Sequence, residues 1–130
     1  MLARPSELVR SVIGCAIEVH RTLGPGLLES AYEACLASEL TDHSLNYRRQ
    51  VLVPIVYKGR VVDCRYRADF IVEDQLLIEL KSIDLVLPIH TAQVLTYLKL
   101  VELQQALIIN FNVTRLVDGL RNVLRTPSRA

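Results

Sequence analysis

The sequence contains no run of about 18 apolar residues of the kind that spans a bilayer. Its beginning also lacks the basic, then apolar, then small-residue order of a secretion signal. Neither a membrane span nor export is therefore expected, and the expected location is cytoplasmic. Cysteine is sparse: Cys15, Cys35 and Cys64 are odd in number and scattered. That excludes a disulfide framework and a paired thiolate zinc site, and leaves buried thiols. Net charge is almost absent, since fifteen basic residues against fourteen acidic ones give +1. The whole-molecule field thus offers nucleic acid no general attraction, and any such binding must come from a local patch. Internal repeats, low-complexity tracts and linkers are missing as well. What is present is hydrophobic content, 51% of 130 residues, enough for one domain with a core and too little chain for two. Residues 1–130 are expected to form a single domain with one site.

From Ser6 to Leu23 the apolar residues Val9, Val12, Ile13, Ala16 and Ile17 recur at helical spacing, until Gly24-Pro25-Gly26 interrupts them. A second helical pattern, with Leu28, Ala31, Tyr32 and Cys35 on one side, runs to about Leu40 and carries Glu29 in its first turn. Beyond Asn46 the period changes to two. Arg48 to Tyr57, Arg60 to Val72 and Leu76 to Ser82 read as strands, with Lys58-Gly59 as a hairpin turn and Glu73-Asp74-Gln75 as a weaker, glycine-free one. Pro88 to about Val101 is helical again, and Ala106 to Ile109 is a strand buried on both faces. Thr114 to Arg125 is amphipathic and fits helix or strand. The order ααβββαβ plus a tail implies a mixed α/β fold with a central sheet of about four strands flanked by helices.

Strand parity then builds a site. Val62, Cys64, Tyr66, Ala68, Phe70 and Val72 share one face of the middle strand, and Asp63, Arg65, Arg67 and Asp69 share the other. In the next strand Leu76, Ile78 and Leu80 fall together, opposite Leu77, Glu79 and Lys81. A three-residue loop pairs Val72 with Leu76 and Phe70 with Ile78. It sets Asp69 directly opposite Glu79, with Cβ atoms about 5 Å apart; a two-residue loop would mix the faces. The Lys58-Gly59 turn similarly sets Val51, Val53 and Ile55 against Tyr66, Cys64 and Val62, and leaves Arg48 and Gln50 near Asp69 and Arg67. Adjacent carboxylates raise each other's pKa unless a cation lies between them, and oxygen ligands suit Mg²⁺ or Mn²⁺. With Lys81 nearby to serve a water, this is equipment for metal-assisted hydrolysis of a phosphodiester. The plain alternative is that Asp69, Glu79, Lys81 and Arg67 form a solvated, salt-bridged face.

Asp69, followed after nine residues by Glu79-Leu80-Lys81, resembles the D…(D/E)xK signature of the PD-(D/E)XK nuclease superfamily. Gly26-Leu27-Leu28-Glu29-Ser30-Ala31-Tyr32 is similar to the motif that names the GxxExxY family, a branch of that superfamily. The likeness extends through Val19-His20, Leu23 to Gly26, Gln50, Arg67 to Phe70, Gln93 to Tyr97 and Ile109-Asn110-Phe111. The resemblance implies that Glu29, Asp69 and Glu79 surround a Mg²⁺ or Mn²⁺ ion with the Leu80 carbonyl as a further ligand, and that Lys81 is the catalytic lysine. Gln93 and Tyr97 resemble the QxxxY element of RecB-like nucleases. Their i, i+4 spacing places both on one helical face, with His90 one turn earlier.

His20 either caps and packs at the end of its helix or approaches Glu29. Arg48, Arg65, Arg67 and His90 are the candidates for contacting nucleic acid, although the arginines have Asp63, Asp69 and Glu79 as bland partners. The expected function is a divalent-metal-dependent nuclease, on DNA in preference to RNA. Its rival is a nucleic-acid-binding or assembly module of a defence or repair system, active only with a partner; a homodimer would double the footprint of so small a domain.

Overall fold

A computed structural model describes residues 5–62 and 66–126 of the protein; Asp63, Cys64 and Arg65, and the expectations attached to them, lie outside the described residues. Helix α1 spans Pro5–Leu23, and it ends where Gly24, at φ +70°, turns its N–H back to the His20 carbonyl at 2.7 Å. Glycine takes that left-handed cap without a Cβ penalty. The buried line of α1 is Leu8, Val12, Cys15, Ala16 and Val19, rotated from the expected stripe: Val9 and Ile13 are half-buried and Ile17 is exposed. Burial pushes the Cys15 thiol up to about 11, so it stays protonated and inert. Helix α2, Glu29–Asp42, buries Tyr32, Leu36, Ala37 and Leu40, whereas Leu28 just before it is exposed.

Seven strands follow: β1 Tyr47–Leu52, β2 Ile55–Tyr57, β3 Arg60–Val62, β4 Arg67–Val72, β5 Leu76–Lys81, β6 Gln105–Asn110 and β7 Leu120–Leu124, with helix α3, Pro88–Val101, between β5 and β6. Among the described residues the main sheet has five strands in the order β1-β4-β5-β6-β7, and β2 pairs only with β3. The mixed, helix-flanked sheet is as expected, with five strands where about four were expected. The ambiguous tail resolves into a single 3-10 turn, Leu116–Gly119, and then β7, which runs antiparallel to β6. β5 and β6 are parallel, joined through α3 in the crossover that parallel pairing requires. α1 and α2 pack on one face of the sheet against Phe70, Val72, Leu76, Ile78 and Leu80. α3 packs on the other against Ala68, Leu77, Ala106 and Ile108.

Hairpin register follows parity with one correction. Lys58 and Gly59, at φ +50° and +77°, close β2 onto β3 with Ile55 opposite Val62 as expected. At the base of that hairpin, however, Val51 faces Ala68 and Leu52 faces Arg67. The pairing has slipped by two residues, because two residues separate β1 from β2 while four separate β3 from β4. Pro54, which has no N–H to give a ladder, sits at the break. At the other end, Glu73 and Asp74, both at φ +52°, turn β4 into β5 with Val72 opposite Leu76 and Phe70 opposite Ile78, as the hydrophobic pattern demands.

Candidate functional site

The backbone ladder between β4 and β5 covers Phe70 to Val72 against Leu76 to Ile78. One residue further along, side chains take over from the backbone. The Asp69 N–H donates to Glu79 Oε1 at 3.1 Å, and the Leu80 N–H donates to Asp69 Oδ2 at 2.7 Å. Each carboxylate thus accepts from the backbone of the opposite strand, and the pair is wedged where the two strands part.

A change of face accompanies the wedge. Phe70 and Val72 lie in the α1–α2 core, whereas Ala68 lies in the α3 core, so even-numbered residues of β4 do not all share a face as parity alone requires. β1 turns with it: Tyr47 packs on the α1–α2 side and Val51 on the α3 side. The rotation passes through Gln50, whose φ of +49° is uncommon for a residue with a side chain. There the Gln50 Nε2 donates to Asp69 Oδ1 at 3.2 Å and also to Glu33 Oε1. Arg67 Nη1 holds the Gln50 carbonyl at 3.2 Å, and Arg49 clasps Glu33 Oε2 through Nε and Nη2 at 3.2 and 2.8 Å.

Glu79 is only 7% exposed. Burial first, then the charge of Asp69, pushes its carboxyl up to about 8, against weaker lowering by the Asp69 N–H and by Lys81. Burial likewise raises Asp69, with Glu33 and Glu29 adding to the effect and the Leu80 N–H and Gln50 opposing it. The two titrate as a coupled pair. Lys81 is half-buried and enters no ion pair among the described residues. A solvated salt-bridged face is therefore not what these residues form.

Other elements close in from both sides. On α3, Gln93 Nε2 donates to the Tyr97 hydroxyl at 2.9 Å. Burial, then the Glu79 charge, raise the Tyr97 pKa, and its ring lies 6.1 Å from that of Tyr66. On α2, Glu29 is exposed in the first turn, near enough to act on both carboxyls. Its loop is anchored by Tyr32: the hydroxyl donates to the Gly24 carbonyl at 2.6 Å and accepts from the Leu27 N–H at 3.2 Å, while the ring stacks on Phe111 at 4.3 Å. Ser82 Oγ ties the Leu27 carbonyl to the end of β5 at 2.6 Å. Within the Gly26-to-Tyr32 segment, Tyr32 thus holds in position the turn that carries Glu29. Asn110, 2% exposed, latches the chain after Lys81 by donating to the Ile83 carbonyl at 2.9 Å and accepting the Ile83 N–H at 3.1 Å.

Glu29, Asp69, Glu79, Lys81 and Tyr97 with its partner Gln93 are accordingly gathered around one end of β5. Two expected neighbours are not. Arg48 lies opposite Ile71 and pairs with Asp74 at 3.1 Å, at the far turn, because the two-residue slip of register puts Gln50 in its place. His90 is bound to its own helix end, where its Nδ1 accepts the Leu87 N–H at 2.9 Å. Arg65 falls outside the described residues. Leu80 presents its N–H to Asp69 and buries its side chain against α1 and α2. His20 is a packing residue, with Nε2 at 2.8 Å from the Val113 carbonyl. Glu33 was missed; its i, i+4 spacing from Glu29 was the available signal.

Among the described residues, no three His, Cys, Asp or Glu side chains gather closely enough to hold a metal by themselves, and no helix is long and apolar enough to cross a membrane. No curated protein and no solved structure matches the chain. The family profile of the PD-(D/E)XK nucleases, by contrast, matches residues 6–123, a span that takes in every element from α1 to β7 and every residue of the site. With its carboxylate pair and lysine on adjoining strands of a helix-flanked mixed sheet, this chain belongs to the PD-(D/E)XK nuclease superfamily.

Proposed function

We propose that this protein is a divalent-metal-dependent nuclease of the GxxExxY branch, hydrolysing phosphodiester bonds of DNA in preference to RNA, and that residues 1–130 work as a single domain. Superfamily members are generally nucleases, which makes nucleic acid the substrate class. The observation that carries the proposal is the interlocked pair of half-buried Asp69 and buried Glu79, with Lys81 two residues further along β5 and in no ion pair among the described residues.

The donor set suits Mg²⁺ or Mn²⁺. Asp69 and Glu79 are hard oxygen donors pushed up by burial, Glu79 further by Asp69 and Asp69 further by Glu33 and Glu29, an opposition that a dication relieves. Asp69 and Glu79 would hold the ion, aided by the Leu80 carbonyl and by Glu29 from the helix side. When bound, it supplies Lewis-acid stabilisation of charge on the phosphate. Lys81 orients the attacking water and favours loss of its proton to solvent. The water oxygen bonds to phosphorus as the bond to O3′ breaks in line, and the leaving oxygen takes up a proton to become a 3′ hydroxyl. Tyr97, whose oxygen accepts from Gln93, keeps its own O–H to donate to a phosphate oxygen. Gln50 and Glu33 fix the orientation of Asp69.

Cleavage of labelled DNA in Mg²⁺ or Mn²⁺ tests the assignment, with loss expected in Asp69→Ala, Glu79→Ala and Lys81→Ala. Cleavage that survives all three substitutions overturns it.

A further inference from the structure

We propose that the β2–β3 hairpin is a substrate arm that grips an unpaired stretch of nucleic acid, with the Tyr57 ring stacking on a base and Lys58 and Arg60 meeting the flanking phosphates. The proposal rests on the nuclease assignment and names the form of nucleic acid the site would be fed.

Three observations converge on it. First, among the described residues the hairpin's strands pair only with each other, and Tyr57 is 64% and Val61 75% exposed. Exposed apolar and aromatic side chains gathered on one ribbon mark a binding surface. Second, its chemistry is one-sided. Tyr57 is the cross-strand partner of Arg60, and Lys58 Nζ lies 5.4 Å from the centre of the Tyr57 ring. Arg48 and Arg49 on β1 are held by Asp74 and Glu33, whereas Lys58 and Arg60 on the hairpin enter no ion pair among the described residues. Helices α1 and α2 with the residues between them, positions 5–42, carry six acidic residues against two basic. The hairpin thus sets two cations beside an exposed aromatic ring, in a chain whose helical first third is acidic. That combination suits unpaired strands, in which bases stack on aromatics and phosphates meet cations.

Third, the arm leads into the site. β1 carries Gln50 and runs into β2, and β3 runs back towards Asp69 on β4. Along the return lie Tyr66, whose ring is 6.1 Å from that of Tyr97, and Arg67, bound to the Gln50 carbonyl. Tyrosine beside arginine occurs both at the tip and at the base, next to the carboxylates. Lys58 lies eight residues beyond Gln50, a reach of at most about 28 Å, enough to hold several nucleotides. A second copy of the chain is the competing occupant of the apolar ribbon, but like charges on two such ribbons repel.

The test is fluorescence anisotropy with labelled oligodeoxythymidylate of about 20 nucleotides and with a duplex of equal length, in EDTA so that nothing is cut. The full chain is expected to prefer the single strand. Tyr57→Ala should weaken that binding about tenfold, as loss of one stacked base does, while Tyr57→Phe stays within about twofold. Lys58→Ala with Arg60→Ala should flatten the salt dependence by about 1.4 in log–log slope, two phosphate contacts on a single strand. Tyr57→Ala binding like wild type, or equal affinity for duplex, overturns the proposal. So does light scattering that shows a concentration-dependent dimer lost on Tyr57→Ala with oligonucleotide affinity unchanged. Cleavage in Mg²⁺ separates the two assignments. Tyr57-dependent binding without cleavage by the wild type keeps the arm and removes the nuclease; cleavage indifferent to Tyr57 removes the arm alone.

Discussion

The two hairpins of this protein, β2–β3 and β4–β5, are built on the same plan and put to opposite use. Both are antiparallel, and both turn on two successive residues at positive φ, Lys58-Gly59 in one and Glu73-Asp74 in the other. The β4–β5 hairpin has helices on both faces, and nearly every side chain of β5 is buried. Among the described residues the β2–β3 hairpin pairs with no other strand, and it leaves its valines exposed. A carboxylate pair becomes chemically unusual only in the first setting, because only burial and enforced proximity push Glu79 up to about 8. Cations and an aromatic ring are useful to a polyanion only in the second, where they can be reached.

The contrast can be broken at several points. The largest expected effect is on activity: Glu79→Ala or Lys81→Ala should lower Mg²⁺-dependent cleavage by about three orders of magnitude, roughly 4 kcal/mol of transition-state stabilisation, measured under single-turnover conditions. Next is packing. Phe70→Ala in the covered hairpin should cost about 3–5 kcal/mol in urea unfolding, while Val61→Ala in the bare one should stay within about 0.5 kcal/mol. Equal losses would mean that the bare hairpin is covered in solution.

The third effect is a pH dependence of the metal-free protein. Below about pH 4.5 Glu79 is protonated in the folded and unfolded chain alike; between there and about 8 the unfolded chain has released the proton and the folded chain has not. Stability should therefore fall as pH rises through that window, by on the order of a few kcal/mol. Glu79→Gln should remove most of the fall, and Mn²⁺ should raise the melting temperature more at pH 8 than at pH 5. A flat profile in the wild type would show that the pair is not the strained element. The smallest effect belongs to the turn: Asp74→Gly, which relieves a side chain at φ +52°, should stabilise by about 0.5–1 kcal/mol, visible as a small shift of the denaturant midpoint.

Much of this was legible in the residues. Alternation through Phe70, Val72, Leu76 and Ile78 left one register that kept apolar side chains together, and that register set Asp69 against Glu79. The helix limits followed from Gly24 and Pro88, which act through their own backbone. Glu33 was overlooked because its role depends on a strand from another part of the chain, and Arg48 was misplaced because one slip of two residues moved it from the site to the far turn. The fifth strand was not readable, since Leu120 to Leu124 becomes a strand only by pairing with β6.

By itself the sequence determined what is periodic and local: helices, turns, strand faces over short runs, and the pairing of the two carboxylates. These depend on backbone geometry and on hydrophobic burial between neighbours in the chain, which repeat every 3.6 or 2 residues. Only the tertiary structure decided the rotation of β1 and β4 at Gln50 and Asp69, the closing in of Glu33 and Tyr97, and the isolation of the cationic hairpin. Those arise where layers from distant segments meet, so the burial that raises Glu79 and the exposure that frees Tyr57 exist only once α2 and α3 are in place.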